Sequence, residues 1–217
     1  MDLRVYALSR VSQNIFHNLG VWESIIACRT SPYERMHVWQ GKHDTRLGSV
    51  TFDSAEVGEP DLGHIVEDNL LRAELVKNLE SAGVKITFGA ELSAIDIRQR
   101  EVHVTLSTGK TLSAAILIAA DGSSSTVRDL LKMPITKVSY RQQAIVTHVE
   151  TEKSHADTAW QRFLPDGPLA FLPLADGRSS VVWSTSSDHA KTLCELGDSE
   201  FRTKLQSGSG NVLGNIL

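Results

Sequence analysis

Asp121 and Gly122 close a continuous apolar run, Ile116-Leu-Ile-Ala-Ala120, and are followed by Ser123, Ser124 and Ser125 and then by Val127, Leu130 and Leu131 at helical spacing. A buried parallel strand delivers residues to the carboxyl edge of an α/β sheet in this order, and nucleotide ligands bind at such edges. A carboxylate there accepts a hydrogen bond from a sugar hydroxyl. The glycine beside it leaves room for the ligand backbone, and a following helix N-terminus favours anionic groups. An ordinary Asp-Gly turn has the same two letters, so the order of parts carries the reading.

Other chemical motifs fail on spacing. Gly109-Lys110-Thr111 copies the end of a phosphate-binding loop, but Val104 stands where the first glycine is required, and a hairpin turn is expected instead. Gly122-Ser-Ser124 would be the start of a hydrolase nucleophile elbow, but Thr126 replaces its second glycine, and neither His148 nor His155 is spaced as a base for it. The eight histidines form no His-Glu-x-x-His pattern and no cysteine pair accompanies them, so no metal site is expected. His37 and His43 are read as strand or turn residues, and Trp39, Trp160 and Trp183 as strand core. Cys28 and Cys194 are expected to be free, buried or half-buried thiols in a reducing compartment.

The elements that would position Asp121 follow from periodicity. Ser9 is a candidate N-cap for a helix over 9–19, with Ile15, Phe16 and Leu19 apolar and Gly20 closing it. Met36–Gln40 and Gly48–Phe52 read as an antiparallel hairpin around the polar stretch 41–44. Asp68 or Asn69 opens a second helix with Leu71, Leu75 and Leu79 on one face and Gly83 past its end. Val84, Ile86 and Phe88 alternate as a strand directly afterwards. Further strands are expected over 92–97, 102–106 and, buried, 112–120. After Pro134 the pattern is all-β, with strands over 144–149, 160–164, 169–174 and 180–184, a loop at 207–210 and the start of another strand over 211–217.

The fold class is therefore α/β (α+β overall). One sheet is built from 1–30 and 65–133, and a mainly antiparallel one from 31–64 and 134–217, the chain crossing between them more than once. A chain of 217 residues, 41% hydrophobic and 22% charged, has ordinary globular composition. Its net charge of -4 argues against nucleic acid as a partner. No apolar run approaches the roughly 20 residues of a membrane span. The first residues carry no basic-then-apolar signal, so the cytoplasm is the default location.

Five passages, in order along nearly the whole chain, resemble the ubiquinone-biosynthesis branch of the flavin-dependent aromatic hydroxylases, relatives of para-hydroxybenzoate hydroxylase. They are Arg4-Val-Tyr-Ala-Leu-Ser9 with Leu19-Gly-Val-Trp22; Gly63-His-Ile-Val-Glu67; Ala119-Ala-Asp-Gly-Ser123; Gln161-Arg-Phe163 with Gly167-Pro-Leu-Ala-Phe-Leu-Pro-Leu174; and Val182-Trp-Ser184. The resemblance implies an incomplete Rossmann-like FAD-binding domain interleaved with a β-sheet substrate domain. It assigns Asp121 and Gly122 to the cofactor, points to Arg4 for the FAD phosphates or ribose, and gives the flavin's sugar chain to the residue opening the second helix. That residue is Asp68, with Asn69 beside it, where the family usually carries an amide. Backbone of Ala90-Glu-Leu92 is implied near the adenine, and Phe171, Leu172 and Pro173 in an apolar substrate lid. No catalytic side chain is nominated.

The implied activity is a monooxygenase in which NAD(P)H reduces FAD and O2 supplies an oxygen to an electron-rich ring, with a polyprenylated phenol as substrate. Peripheral association with the inner membrane and membership of a multiprotein quinone-biosynthesis complex are implied partners. The family's Gly-x-Gly-x-x-Gly turn and its later Gly-Asp element are not found. The expectation is an internal, inactive piece of such an enzyme, in which the absence of the sheet's central first strand would leave backbone donors unpaired and apolar side chains exposed. The alternative is a non-catalytic binding or assembly module.

Overall fold

The structure is a computed structural model that describes residues 3–41 and 48–217. In chain order the elements are β1 (Val5–Ser9), α1 (Arg10–Asn18), α2 (Trp22–Ile26), β2 (Thr30–Tyr33), β3 (Arg35–Gln40), β4 (Ser49–Asp53), β5 (Gly63–Glu67) and α3 (Asp68–Ser81). There follow β6 (Leu92–Ile97), β7 (Val102–Leu106), β8 (Thr111–Ala114), α4 (Thr126–Leu130), β9 (Gln142–Val149), β10 (Thr158–Leu164), β11 (Gly167–Pro173), β12 (Ser179–Ser186), α5 (Ser187–Glu195) and α6 (Asp198–Ser209). The chain divides by compactness into two units, Met1–Ala82 with Tyr140–Leu217, and Gly83–Ser139.

In the first unit a small antiparallel sheet has the order β1-β5-β2. Ser9 caps α1 by accepting from Ser12 N, as its residue type and position imply. Phe16 of α1, Val21, Trp22 and Ile25 around α2, and Leu71 and Leu75 of α3 pack on Leu8 and Val66 of this sheet. Ile15 and Leu19, expected on the packed face of α1, are exposed, as is Leu79 at the far end of α3.

The larger sheet has the order β4-β3-β10-β11-β12-β9, antiparallel except for the β3/β10 pair. The β3/β4 hairpin forms as its alternation demands; most of its expected turn, and His43, lie outside the described residues. Trp39, Leu169, Phe171, Val181 and Trp183 line one face and are sealed by Leu193 of α5, Leu205 of α6, and Val212, Leu213 and Ile216. The alternate residues Met36, Val38, Leu172 and Val182 lie on the opposite face, half-buried, with Phe52 and Phe163 exposed.

The second unit is a β6-β7-β8 meander with α4, and its buried apolar residues are Val102, Leu106 and Val127. Gly109 makes the β7/β8 turn at φ 84°, with its N–H on Leu106 O, so Gly109-Lys110 is a hairpin element as expected.

Several expectations are corrected. Val84–Phe88 forms no strand, and Phe88 is largely exposed. The run expected as a buried strand over 112–120 is paired only through Ala114; Ile116 and Ile118 are 75% and 83% exposed. A continuous apolar run marks burial on both faces only when strands and helices flank it, and no described strand pairs with residues 115–120. The segments 207–210 and 211–217 are not a loop and a strand. Helix α6 runs to Ser209 and ends at Gly210 in the left-handed conformation, after which Ile216 makes a single bridge to Thr151. The all-β reading after Pro134 missed α5 and α6, and α2 was also unforeseen. Cys28 and Cys194 are free but exposed rather than buried.

Candidate functional site

Strand β1 and the start of α3 bring two of the expected cofactor residues together. Asp68 N–H donates to Arg4 O at 3.0 Å, and Arg4 Nη2 lies 3.3 Å from Asp68 Oδ2. Two residues not foreseen complete the arrangement. The Tyr6 hydroxyl donates to Asp68 Oδ1 at 2.7 Å, and Arg72 Nε reaches Asp68 Oδ2 at 2.8 Å. Both had a sequence signal: Tyr6 shares a strand face with Arg4 at period two, and Arg72 is one helical turn beyond Asp68. The Asp68 side chain is 3% exposed, whereas those of Arg4 and Arg72 are 56% and 64% exposed. Tyr6 first, then Arg72, holds the Asp68 carboxyl below the ordinary carboxylate range. In turn, Asp68 raises the Arg72 guanidinium. Beside them, Glu67 is paired with Arg29 at 2.9 Å.

A second polar cluster lies at the other end of the small sheet. Arg10 Nη2 pairs with Glu59 at 2.9 Å, and its Nη1 reaches Asp61 Oδ2 at 3.4 Å and Gln13 Oε1 at 3.3 Å. That orientation makes Gln13 Nε2 the donor to His64 Nδ1, 2.8 Å away, and places the neutral imidazole proton on Nε2. Burial lowers the His64 pKa below the ordinary imidazole value; Asp61 opposes the shift and Arg10 adds to it. Asp61 Oδ1 is buried with no hydrogen-bond partner among the described residues, 3.6 Å from His64 Nδ1. Burial, with Asp61 second, raises the Tyr33 hydroxyl. Gly63, opposite Ser9 and Tyr33, is required here. A Cβ would enter the Leu8 backbone oxygen and lie 3.0 Å from the Tyr33 hydroxyl.

Asp121 and Gly122 belong to the second unit and precede α4. Asp121 Oδ2 accepts from Val127 N at 3.1 Å, and Ser125 Oγ accepts from Arg128 N at 3.1 Å. The N-terminal donors of this five-residue helix at Val127 and Arg128 are thus taken by side chains of its own approach. Ser125 first, then the Val127 N–H, depresses the Asp121 pKa, so the exposed carboxylate is ionised at neutral pH. Gly122 has φ 81° with open space where a Cβ would be. Leu92 opens β6 and is half-buried.

Of the expected substrate residues, Phe171 is 1% exposed among the helix-facing core side chains, and Pro173 is fully buried. Neither offers surface to a ligand. Leu172 lies on the opposite face and is half-buried.

Residues 3–214 match the family described as "FAD binding domain" (FAD_binding_3), and the chain belongs to that family. It is 35% identical over 215 residues to the ubiquinone biosynthesis monooxygenase COQ6 of Danio rerio, covering 94% of this chain and 44% of that protein. To the 3-demethoxyubiquinol 3-hydroxylase of Escherichia coli it is 32% identical over 217 residues, covering 99% and 54%. The chain spans about half the length of these curated relatives. Among solved structures it superposes on PqsL of Pseudomonas aeruginosa, described as a probable FAD-dependent monooxygenase. The TM-score is 0.80 at 17% identity, over 100% of this chain and 63% of that one. It also superposes on Klebsiella pneumoniae HpxO complexed with FAD and uric acid, with a TM-score of 0.67 at 19% identity over 94% and 52%. At these identities the superpositions show a shared fold. Among the described residues no helix is long and apolar enough to cross a membrane.

Proposed function

We propose that this chain supplies cofactor- and substrate-facing surfaces of an FAD-dependent aromatic-ring monooxygenase of ubiquinone biosynthesis, acting on a polyprenylated phenol with NAD(P)H and O2. One observation carries the reading. Arg4 and Asp68, 64 residues apart and both pointed to the cofactor by the family resemblance, meet at the start of α3. There, two exposed guanidinium groups surround one buried carboxylate, an arrangement that fits an anionic, phosphate-bearing ligand. In this reading 1–30 and 65–133 form the cofactor side, and 31–64 and 134–217 the substrate side.

FAD, when bound, supplies the redox chemistry that uses NAD(P)H and O2 to hydroxylate the ring. The chain's own residues bind, orient and exclude water. The ionised Asp121 carboxylate would accept from a sugar hydroxyl of the cofactor, Gly122 would leave its approach open, and backbone of Ala90–Leu92 would serve the adenine. The apolar face carrying Met36, Val38, Leu172 and Val182, with Phe52 and Phe163 at its exposed positions, provides dry surface for a phenol with an isoprenoid tail.

The test is flavin retention. The 217-residue chain is expected to bind FAD weakly, because the apolar segment before Asp121 has no described strand beside it. A chimera adding the flanking segments of the Escherichia coli relative is expected to retain FAD and to oxidise NAD(P)H faster with a phenolic lipid. A folded chimera that retains no flavin overturns the proposal. The exposed Ile116 and Ile118 favour one other reading, a binding or assembly module. Partner co-purification without NAD(P)H oxidation by the chimera would support it. If such a complex forms, the partner's chemistry and any inner-membrane association become the next measurements.

A further inference from the structure

We propose that Arg72, rather than Asp68, is the α3 side chain that contacts the phosphate-bearing part of the ligand, and that Asp68 and Tyr6 are positioning residues that aim Arg72 and Arg4. This rests on the reading above that the start of α3 faces a nucleotide cofactor. A carboxylate at that place would repel a diphosphate if it were presented directly. It is not presented: the side chain is 3% exposed, Oδ1 accepts from Tyr6, and Oδ2 lies against Arg72 Nε and Arg4 Nη2. Two guanidinium groups flank the one carboxylate, and the neighbouring Glu67 is paired with Arg29.

Arg72 engages Asp68 through Nε, the inner edge of its fork, while most of its side chain is in solvent. A guanidinium fixed through Nε presents its two terminal nitrogens as a parallel pair of donors, the geometry that matches two phosphate oxygens. Asp68 and Arg72, one helical turn apart, divide the task. The carboxylate orients and the arginine donates. Tyr6 matters because its 2.7 Å bond fixes which oxygen is left for the arginines. Ligands of this class are diphosphates and nucleoside diphosphates.

The experiment titrates the 217-residue chain with inorganic diphosphate at low ionic strength, followed by calorimetry and by amide shifts of residues 4–8 and 66–73. Saturable binding is expected, weakened about tenfold in Arg72→Gln, the scale of one charge-assisted hydrogen-bond pair, and partly restored in Arg72→Lys. Arg202→Gln on α6 is expected to change nothing. The decisive variant is Asp68→Ala, with Tyr6→Phe as a milder second. A diffuse positive patch binds diphosphate more tightly when a negative charge is removed, whereas an aimed pair binds it more weakly. Tighter binding in Asp68→Ala, unchanged binding in Arg72→Gln, or no saturable binding by the parent chain overturns the proposal. Diphosphate carries neither flavin nor adenine. Diphosphate binding without competition by FAD would retain the anion site and remove the FAD reading. FAD retention by the chimera without an Arg72 effect would do the reverse.

Discussion

The Tyr6 hydroxyl lies 2.7 Å from Asp68 Oδ1, joining the first strand to the first residue of the longest helix across 62 positions of sequence. This contact is the largest cause of the depressed Asp68 pKa. A carboxyl whose folded pKa is depressed binds its proton more readily in the unfolded chain. Its stabilising contribution is therefore present above the unfolded value, about 3.9, and is lost as pH falls through the folded one. Tyr6→Phe is expected to bring the Asp68 titration back toward the ordinary carboxylate value and to lower stability at neutral pH. It should also flatten the acid limb of the stability curve. Carbon-detected titration of Asp68 with urea melts between pH 2 and pH 7 checks this; an Asp68 midpoint unchanged in the variant refutes it.

How far the site was legible depended on the range of the contacts. Asp121 and Gly122 stood out because local order surrounds them, a pair closing an apolar run, whereas Arg4 and Asp68 were pointed to only by the family resemblance. Tyr6 and Arg72 carried equally local signals, strand period and helical turn, but gained meaning only when β1 and α3 met. The Gln13–His64 pair spans 51 residues and had no periodic signal at all. Strands β9 to β12 were readable because half their positions face a core. Helices α5 and α6 were not, because Ser, Thr and Gly dilute their apolar positions and only Ala190, Leu193, Leu205 and Ser209 are buried. The run before Asp121 misled in the other direction, since apolar composition reports a need for neighbours and not their presence.

His64 gives a pH dependence of its own. Its folded pKa is lowered, so the unfolded chain takes up the proton first, and stability declines as pH falls from about 6.5 toward the folded value. On protonation Nδ1 can no longer accept from Gln13, and the unpartnered Asp61 Oδ1, 3.6 Å away, becomes its acceptor. Trp22, edge-on to His64 with ring centres 5.2 Å apart, is the reporter. Urea melts of the parent chain are expected to weaken between pH 7.5 and pH 5, and His64→Leu to remove that part of the slope. An identical slope in both proteins would exclude His64 as its source.

Phe171 and Leu172 are neighbours on β11 that face opposite ways, so their alanine variants should separate core from surface. Phe171→Ala empties a site 1% exposed and is expected to cost about 3–5 kcal/mol. Leu172→Ala, on the open face, should cost clearly less, while in the flavin-retaining chimera it weakens stimulation by the phenolic lipid. Equilibrium denaturation of both variants decides the first half, and NAD(P)H oxidation the second. Equal destabilisation by the two would mean that the Leu172 face is covered.

Gly63→Ala should be among the least tolerated single changes in the small sheet. The added Cβ meets the Leu8 backbone oxygen, which is held in the ladder between β1 and β5 and cannot swing aside as a side chain would. The strands must separate, which disturbs Ser9 and Tyr33 on either side and the Asp61–His64 cluster next to them. The expected readout is loss of soluble protein or a large fall in the unfolding midpoint. Gly122→Ala, where a Cβ would have open space and only φ 81° is unfavourable, should be much milder.

Ile118 distinguishes a paired strand from an unpaired one by a single substitution. At 83% exposure in this chain its side chain contributes little packing, so Ile118→Thr should move stability by no more than about 0.5 kcal/mol, the scale of an ordinary surface change. In the chimera, with strands on both sides of residues 115–120, the same side chain becomes core and its polar replacement should lower the unfolding midpoint sharply and release flavin. Measuring both proteins by thermal melts separates the cases, because one residue then reports two environments. A large loss of stability in the 217-residue chain itself would show that the segment is already buried there, and the weak FAD binding expected of this chain would lose its physical basis.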